Sequence, residues 1–130
     1  MILLDTHVVV WLAFDPSQIP KRARTAIDNA RENGEGLAIS DITLLELTTL
    51  ASKGRVHLDI SLESFLRAVE TRFVVLPVTS AACLHAVGLP ATFPRDPADR
   101  LIAGTAIAEG LPLLTADRVI RQSKALNTIW

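Results

Sequence analysis

The chain has 130 residues, 49% hydrophobic and 21% charged, with 13 Lys and Arg against 14 Asp and Glu. Such a length and composition exclude bulk disorder and point to one folded domain spanning residues 1–130. The near-neutral balance excludes a polycation that holds nucleic acid by bulk charge, and the lone Cys83 excludes an intrachain disulfide or a cysteine-built metal site.

The elements alternate along the chain. Met1–Leu4 is a short apolar run suited to a strand buried on both faces, and a helix is expected from about Val8. Val8–Phe14 is too short to span a membrane and has no basic residue before it, so a signal peptide is not expected and the protein is read as cytoplasmic. Pro16 and Pro20 punctuate the next stretch. Lys21–Glu32 reads as a helix with Ala23, Ile27 and Ala30 on one side, stopped by Asn33-Gly34. Leu37–Ser40 is a second strand, and Asp41 is expected to cap a helix running to about Ser52. Ser61 caps a helix carrying Leu62, Phe65, Leu66 and Val69, and Phe73–Leu76 is a third strand closed by Pro77. Thr79–Val87 reads as a short helix and Leu89–Pro94 as a loop. Asp96-Pro97 starts a helix that Gly110 ends. Leu111–Leu114 is a fourth strand, Asp117 begins a last helix, and Asn127–Trp130 is a fifth strand. The alternation defines an α/β domain with a mainly parallel sheet of about five strands.

The informative residues are acids in apolar surroundings. Asp5 ends the first strand, where helix capping is the competing explanation. Glu46 lies between Leu45 and Leu47, one turn from Ile42 and Leu50, and Glu is rarely buried unless paired or metal-bound. Asp99 shares a stripe with Ile102, Ala103 and Ala106; Asp96, at the helix start, is more easily explained by the helix dipole. Asp117 follows the fourth strand after Thr115 and Ala116. In an open α/β sheet these positions gather at the carboxyl edge of the strands, where ligands bind. Carboxylates converging there must take up protons or be neutralised by a cation, and all-oxygen ligands select Mg²⁺, or Mn²⁺, over zinc. Such a site suits phosphodiester hydrolysis.

The blocks Ile2-Leu3-Leu4-Asp5-Thr6-His7, Ser40-x5-Glu46, Asp96-Pro97-Ala98-Asp99-Arg100-Leu101-Ile102-Ala103 and Leu113-Leu114-Thr115-Ala116-Asp117, in this order, resemble the PIN-domain family, and within it the VapC-like toxins of toxin–antitoxin pairs. The resemblance covers essentially the whole chain. It implies a single PIN domain with a Rossmann-like three-layer α/β/α fold and Mg²⁺-dependent endoribonuclease activity. It also implies an RNA substrate, inhibition by a cognate antitoxin, and a homodimer. Asp5, Glu46, Asp99 and Asp117 carry over as the acidic quartet, with Asp5, Asp99 and Asp117 as metal ligands, directly or through water. Asp96 matches a further acid of less defined role.

Around the quartet, Thr6 either holds a water or caps the first helix, and Thr115 either reaches the acids or closes its strand. His7 reads as a packed or supporting histidine more than as a general base, since a cation activates water without one. Arg100 and Arg118 either contact RNA phosphate or pair with the acids, and Lys53, Arg55 and Arg95 sit in loops that can add to a phosphate surface. His57 and His85 are read as surface or packing residues, and Cys83 as a small core residue. With 5% aromatics and no Tyr, no base-stacking platform is expected. The apolar helices Val8–Phe14 and Leu44–Leu50 exceed what one small core absorbs, which points to self-association or a partner groove.

Two other enzyme-like classes are disfavoured. A haloacid-dehalogenase-type phosphatase needs an Asp where His7 stands, and a receiver domain needs a Lys where the fourth strand ends in Leu114-Thr115. A non-catalytic module whose acidic patch holds a basic partner is the remaining alternative.

Overall fold

The computed structural model describes residues 1–130 throughout. Five parallel strands, β1 (Ile2–Leu4), β2 (Leu37–Ser40), β3 (Val74–Leu76), β4 (Leu113–Leu114) and β5 (Thr128–Ile129), form one sheet in the order β3-β2-β1-β4-β5. The central strand explains the arrangement. Alternate residues of a strand face opposite ways, and all three of Ile2, Leu3 and Leu4 are buried, so β1 needs helices on both faces.

Ile2 and Leu4 face a core shared with α1 (Thr6–Phe14), α2 (Lys21–Glu32), α3 (Asp41–Ser52) and α4 (Leu62–Arg72), built on Val8, Ile27, Leu47 and Phe65. Leu3 faces the opposite core, where α6 (Pro97–Glu109) supplies Ile102, Ala103 and Ala106 and α7 (Arg118–Ser123) supplies Ile120. These are the three α/β/α layers that the family resemblance implies. The helix α5 (Ser80–Gly88) lies on α6. Their approach is closest at Gly104, where an added Cβ would stand 2.3 Å from the Ala82 carbonyl oxygen. The αL conformation at Gly110 (φ 66°) ends α6.

Several local expectations change. Helix α1 starts at Thr6 rather than Val8, because Asp5 in extended conformation accepts from the Thr6 N–H and caps it. Ser40, not Asp41, caps α3; the Ser40 hydroxyl takes the Ile42 N–H, and Asp41 accepts instead from the Val78 N–H. Strand β4 is shorter than Leu111–Leu114, as Pro112 has no N–H for a ladder. Pro16–Gln18 form a short 3₁₀ turn. Cys83 is exposed rather than in the core, since α5 turns Ala82 and Ala86 inward.

Candidate active site

All five strands run the same way, so the residues following β1, β4 and β5, and the helix following β2, begin at one edge of the sheet. A pocket of about 240 Å³ opens there between α1, α3 and α6, walled by Asp5, Thr6, His7, Glu46 and Asp99 with Val10 and Leu50.

Asp5 is 4% exposed, and both of its oxygens are engaged. Oδ1 accepts from the Thr6 N–H at 2.9 Å, and Oδ2 from the Thr115 hydroxyl at 2.8 Å. Thr115 in turn accepts from the Asp117 N–H at 3.1 Å, so one hydroxyl joins the ends of β1 and β4. Thr6 is buried and donates to Glu46 Oε1 at 2.6 Å. A hydroxyl has one proton, so the Thr43 hydroxyl, 3.0 Å from Thr6 Oγ1, is the donor in that pair. The chain Thr43–Thr6–Glu46 fixes the Glu46 carboxylate. Asp5 rather than Thr6 caps α1, and the Thr6 hydroxyl engages Glu46 and Thr43. Thr43 escapes a reading of the sequence, since a threonine one turn before Glu46 on an apolar helix carries no mark of its own.

Charge accumulates here. Burial is the main cause that raises the Glu46 pKa above the ordinary glutamate value, reinforced by Asp5 and Asp96 and partly offset by the Thr6 hydrogen bond. Asp99 is pushed up to about 7, first by burial and then by Asp5, Asp96, Glu46 and Asp117 together. Asp99 therefore registers all four other acids. Asp96 caps α6 with Oδ2 on the Asp99 N–H (3.4 Å). Asp117 caps α7 with Oδ1 on the N–H groups of Val119 and Ile120 (2.8 and 3.1 Å) and stands beside the pocket rather than in its wall. No three carboxylate, imidazole or thiol groups stand close enough to ligate one ion directly.

His7 is held in place from both ring nitrogens. Its Nε2 accepts from the Ala116 N–H at 2.9 Å, which occupies the lone pair a general base needs and leaves the proton on Nδ1, 3.6 Å from Asp5 Oδ2. Arg100 takes neither role expected of it. Its guanidinium donates to the carbonyls of Ala86, Leu89, Pro90, Phe93 and Pro94, and so fastens the Leu89–Pro94 loop to α6. Arg118, Lys53, Arg55 and Arg95 are exposed, as are His57 and His85. Away from the acids, Phe14 and Leu45 are 42% and 61% exposed. An apolar groove of about 620 Å³ runs between α1 and α4, lined by Val9, Leu12, Phe14, Phe65, Val69 and Phe73.

A parallel sheet covered on both faces, with an acidic pocket at its carboxyl edge, defines an α/β domain of the Rossmann-like class. Within that class the chain belongs to the PIN-domain family, whose profile matches residues 2–125. It is 37% identical over 131 aligned residues to Ribonuclease VapC22 of Mycobacterium tuberculosis, covering 99% of this chain and 98% of that one. Two solved structures share the fold. VapBC2 from Rickettsia felis, bound to a promoter DNA fragment, superposes with a TM-score of 0.74 at 23% identity, over 98% of this chain and 97% of that one. The DNA-bound VapBC of Salmonella typhimurium does so with 0.69 at 26% identity, over 98% and 97%. No helix is long and apolar enough to cross a membrane.

Proposed function

We propose that the protein is a divalent-metal-dependent endoribonuclease, the toxin of a toxin–antitoxin pair held inactive by a cognate antitoxin. The observation that carries this is the pocket in which Asp5, Glu46 and Asp99 face one another while Asp96 and Asp117 add charge from its margin. The 37% identity to a VapC ribonuclease across nearly the whole length supports the reaction class.

The donor set fits Mg²⁺ or Mn²⁺. It is all oxygen, and burial and neighbouring acids make its negative charge costly without a cation. Mg²⁺ takes one or two carboxylates and keeps its waters, so Asp5, Asp99 and Asp117 would hold the ion, directly or through those waters. When bound, the cation supplies charge neutralisation and Lewis acidity toward the phosphodiester. The chain's own residues do the remainder. Thr115 and the Thr6 N–H hold Asp5 rigidly at the end of β1. Thr6 aims Glu46, whose raised pKa keeps it basic enough to take a proton from the attacking water. Asp99, poised near neutrality, responds to the charge of what enters.

The same excess charge offers a route for inhibition. A guanidinium pairs two carboxylate oxygens at once, so an antitoxin arginine can replace the cation. The groove between α1 and α4, which shares helix α1 with the acidic pocket, offers a surface for an amphipathic helix of that partner. The exposed Leu45 is a further apolar point for pairing of two copies as a homodimer.

The test is incubation of purified protein with mixed RNAs in Mg²⁺, Mn²⁺ or chelator. Metal-dependent cleavage that Glu46→Gln reduces by about 10² or more is expected. Tight binding of a basic peptide with no cleavage under any metal condition would assign the pocket to a non-catalytic module instead.

A further inference from the structure

Three aromatic rings meet beside the acidic pocket. His7 and Trp11, one turn apart on α1, have ring centroids 5.0 Å apart at 61°. Trp130 closes on both, 5.6 Å from Trp11 and 6.4 Å from His7. Trp130 follows β5, and because β5 runs parallel to β1 and β4 it lies at the same edge as Asp5 and Asp117. His7 is itself part of the pocket wall. The rings are only partly covered: the His7 side chain is 32% exposed, and both tryptophans are half-buried at the margin of the core.

The position bears on how RNA is held. The three carboxylates of the pocket and the two at its margin repel a polyanion, and the chain's net charge is −1, so charge alone does not bring RNA to this edge. Stacking on an aromatic face is indifferent to charge and available to every base. A phosphate at the acids carries its own nucleoside with it, and His7, in the pocket wall on the α1 side, continues into the ring cluster through Trp11 and Trp130. We propose that His7, Trp11 and Trp130 form a shelf on which a base next to the scissile phosphate stacks. The inference rests on the ribonuclease reading above. It revises the expectation of no stacking platform: 5% aromatics is few rings, but the fold gathers both tryptophans against His7 of the pocket wall.

The chain has two tryptophans and no tyrosine, so its intrinsic fluorescence reports on this shelf alone. The experiment uses the Glu46→Gln chain with Mg²⁺, to hold back cleavage, and follows both tryptophan emission and the anisotropy of end-labelled oligonucleotides. Unpaired RNA is expected to bind and quench the emission. The same backbone carrying abasic sites is expected to bind at least about five-fold more weakly, without quenching. Trp130→Phe, which keeps a ring, should bind within about two-fold of the parent, whereas Trp130→Leu should lose about five-fold or more. Far-UV circular dichroism checks that both variants fold, and the abasic comparison needs neither of them. Equal affinity for abasic and base-bearing RNA, or like behaviour of the Phe and Leu variants, overturns the shelf and leaves the nuclease standing. No anisotropy change with any oligonucleotide overturns both.

Discussion

Replacing Asp99 with Asn should make the metal-free protein more stable, although the residue sits in the candidate active site. Asp99 binds its proton with a pKa of about 7 in the fold against an ordinary aspartate value of 3.8. Three powers of ten in proton affinity correspond to about 4 kcal/mol. Asp99 is only half-buried, so solvent screening reduces this to about 1–2 kcal/mol. The sign follows from proton linkage. Between about pH 4 and pH 7 the folded chain holds a proton that the unfolded chain has released, so stability falls as pH rises across that window and is level above it. Asn is neutral throughout and escapes the loss. For 130 residues, an unfolding entropy of about 2.1 cal/mol/K per residue converts the difference into about 4–7 °C in Tm. Thermal melts of wild type and Asp99→Asn in chelator should separate by that amount at pH 8 and nearly coincide at pH 4.5. Saturating Mg²⁺ at pH 8 should shrink the gap, because a cation relieves the wild-type repulsion. A variant no more stable than wild type at pH 8, or stabilised equally at both pH values, would refute the account by burial and repulsion of the Asp99 charge.

Asp5→Asn should largely abolish weak Mn²⁺ binding by calorimetry; unchanged binding would remove Asp5 from the metal site. Thr6→Val deletes the 2.6 Å hydrogen bond that holds Glu46 down, so RNA cleavage should fall by about 10-fold and the acid limb of its pH profile should move upward, a shift that mere loosening of α1 does not produce. Gly104→Ala should cost about 1–3 kcal/mol in urea unfolding, since its Cβ meets the Ala82 carbonyl at 2.3 Å and the Ala86 nitrogen at 3.0 Å, both backbone atoms of α5. Arg100→Lys keeps the charge but not the planar fork, and should speed proteolysis within Leu89–Pro94 while leaving metal binding at Asp5 intact.

What the sequence discloses and what it hides divide along sequence separation. Glu46 and Asp99 stand out because each interrupts an apolar helical stripe, a pattern visible within two turns of chain. Strands β1 and β2 are legible for the same reason, as unbroken apolar runs. The contacts that complete the site are not local. Thr115 reaches Asp5 across 110 residues, Thr43 reaches Thr6 across 37, and Ala116 reaches His7 across 109. None changes the periodicity of its own segment. Arg100 misleads for a related reason: its neighbour in sequence is an acid, but its side chain leans back along α6 to a ring of carbonyls in a loop that the sequence marks only by its prolines. Choosing Asp41 over Ser40 as the cap of α3 fails more simply. Both are good capping residues, and only the length of β2 decides which one is still extended when the helix begins.

Helix capping and active-site chemistry are competing explanations for Asp5, Asp96 and Asp117 when the sequence is read alone, yet the structure shows that capping is what presents them. A parallel sheet sends every strand into a helix at the same edge, and each helix start requires an acceptor for its free N–H groups. Asp supplies one, and the helix dipole favours the charge. Asp5 binds Thr6 N–H through Oδ1, Asp96 binds Asp99 N–H through Oδ2, and Asp117 binds two amides through Oδ1 alone. A cap that occupies one carboxylate oxygen fixes the side chain and leaves the charge facing the common edge. Three caps from three helices therefore assemble an acidic centre with little need for dedicated scaffolding. The two acids that cap nothing, Glu46 and Asp99, are the ones whose pKa values rise. The cost of burial, and after it of repulsion, thus falls on the residues that cap no helix, which is where a cation, a substrate or an inhibitor's guanidinium gains most by arriving.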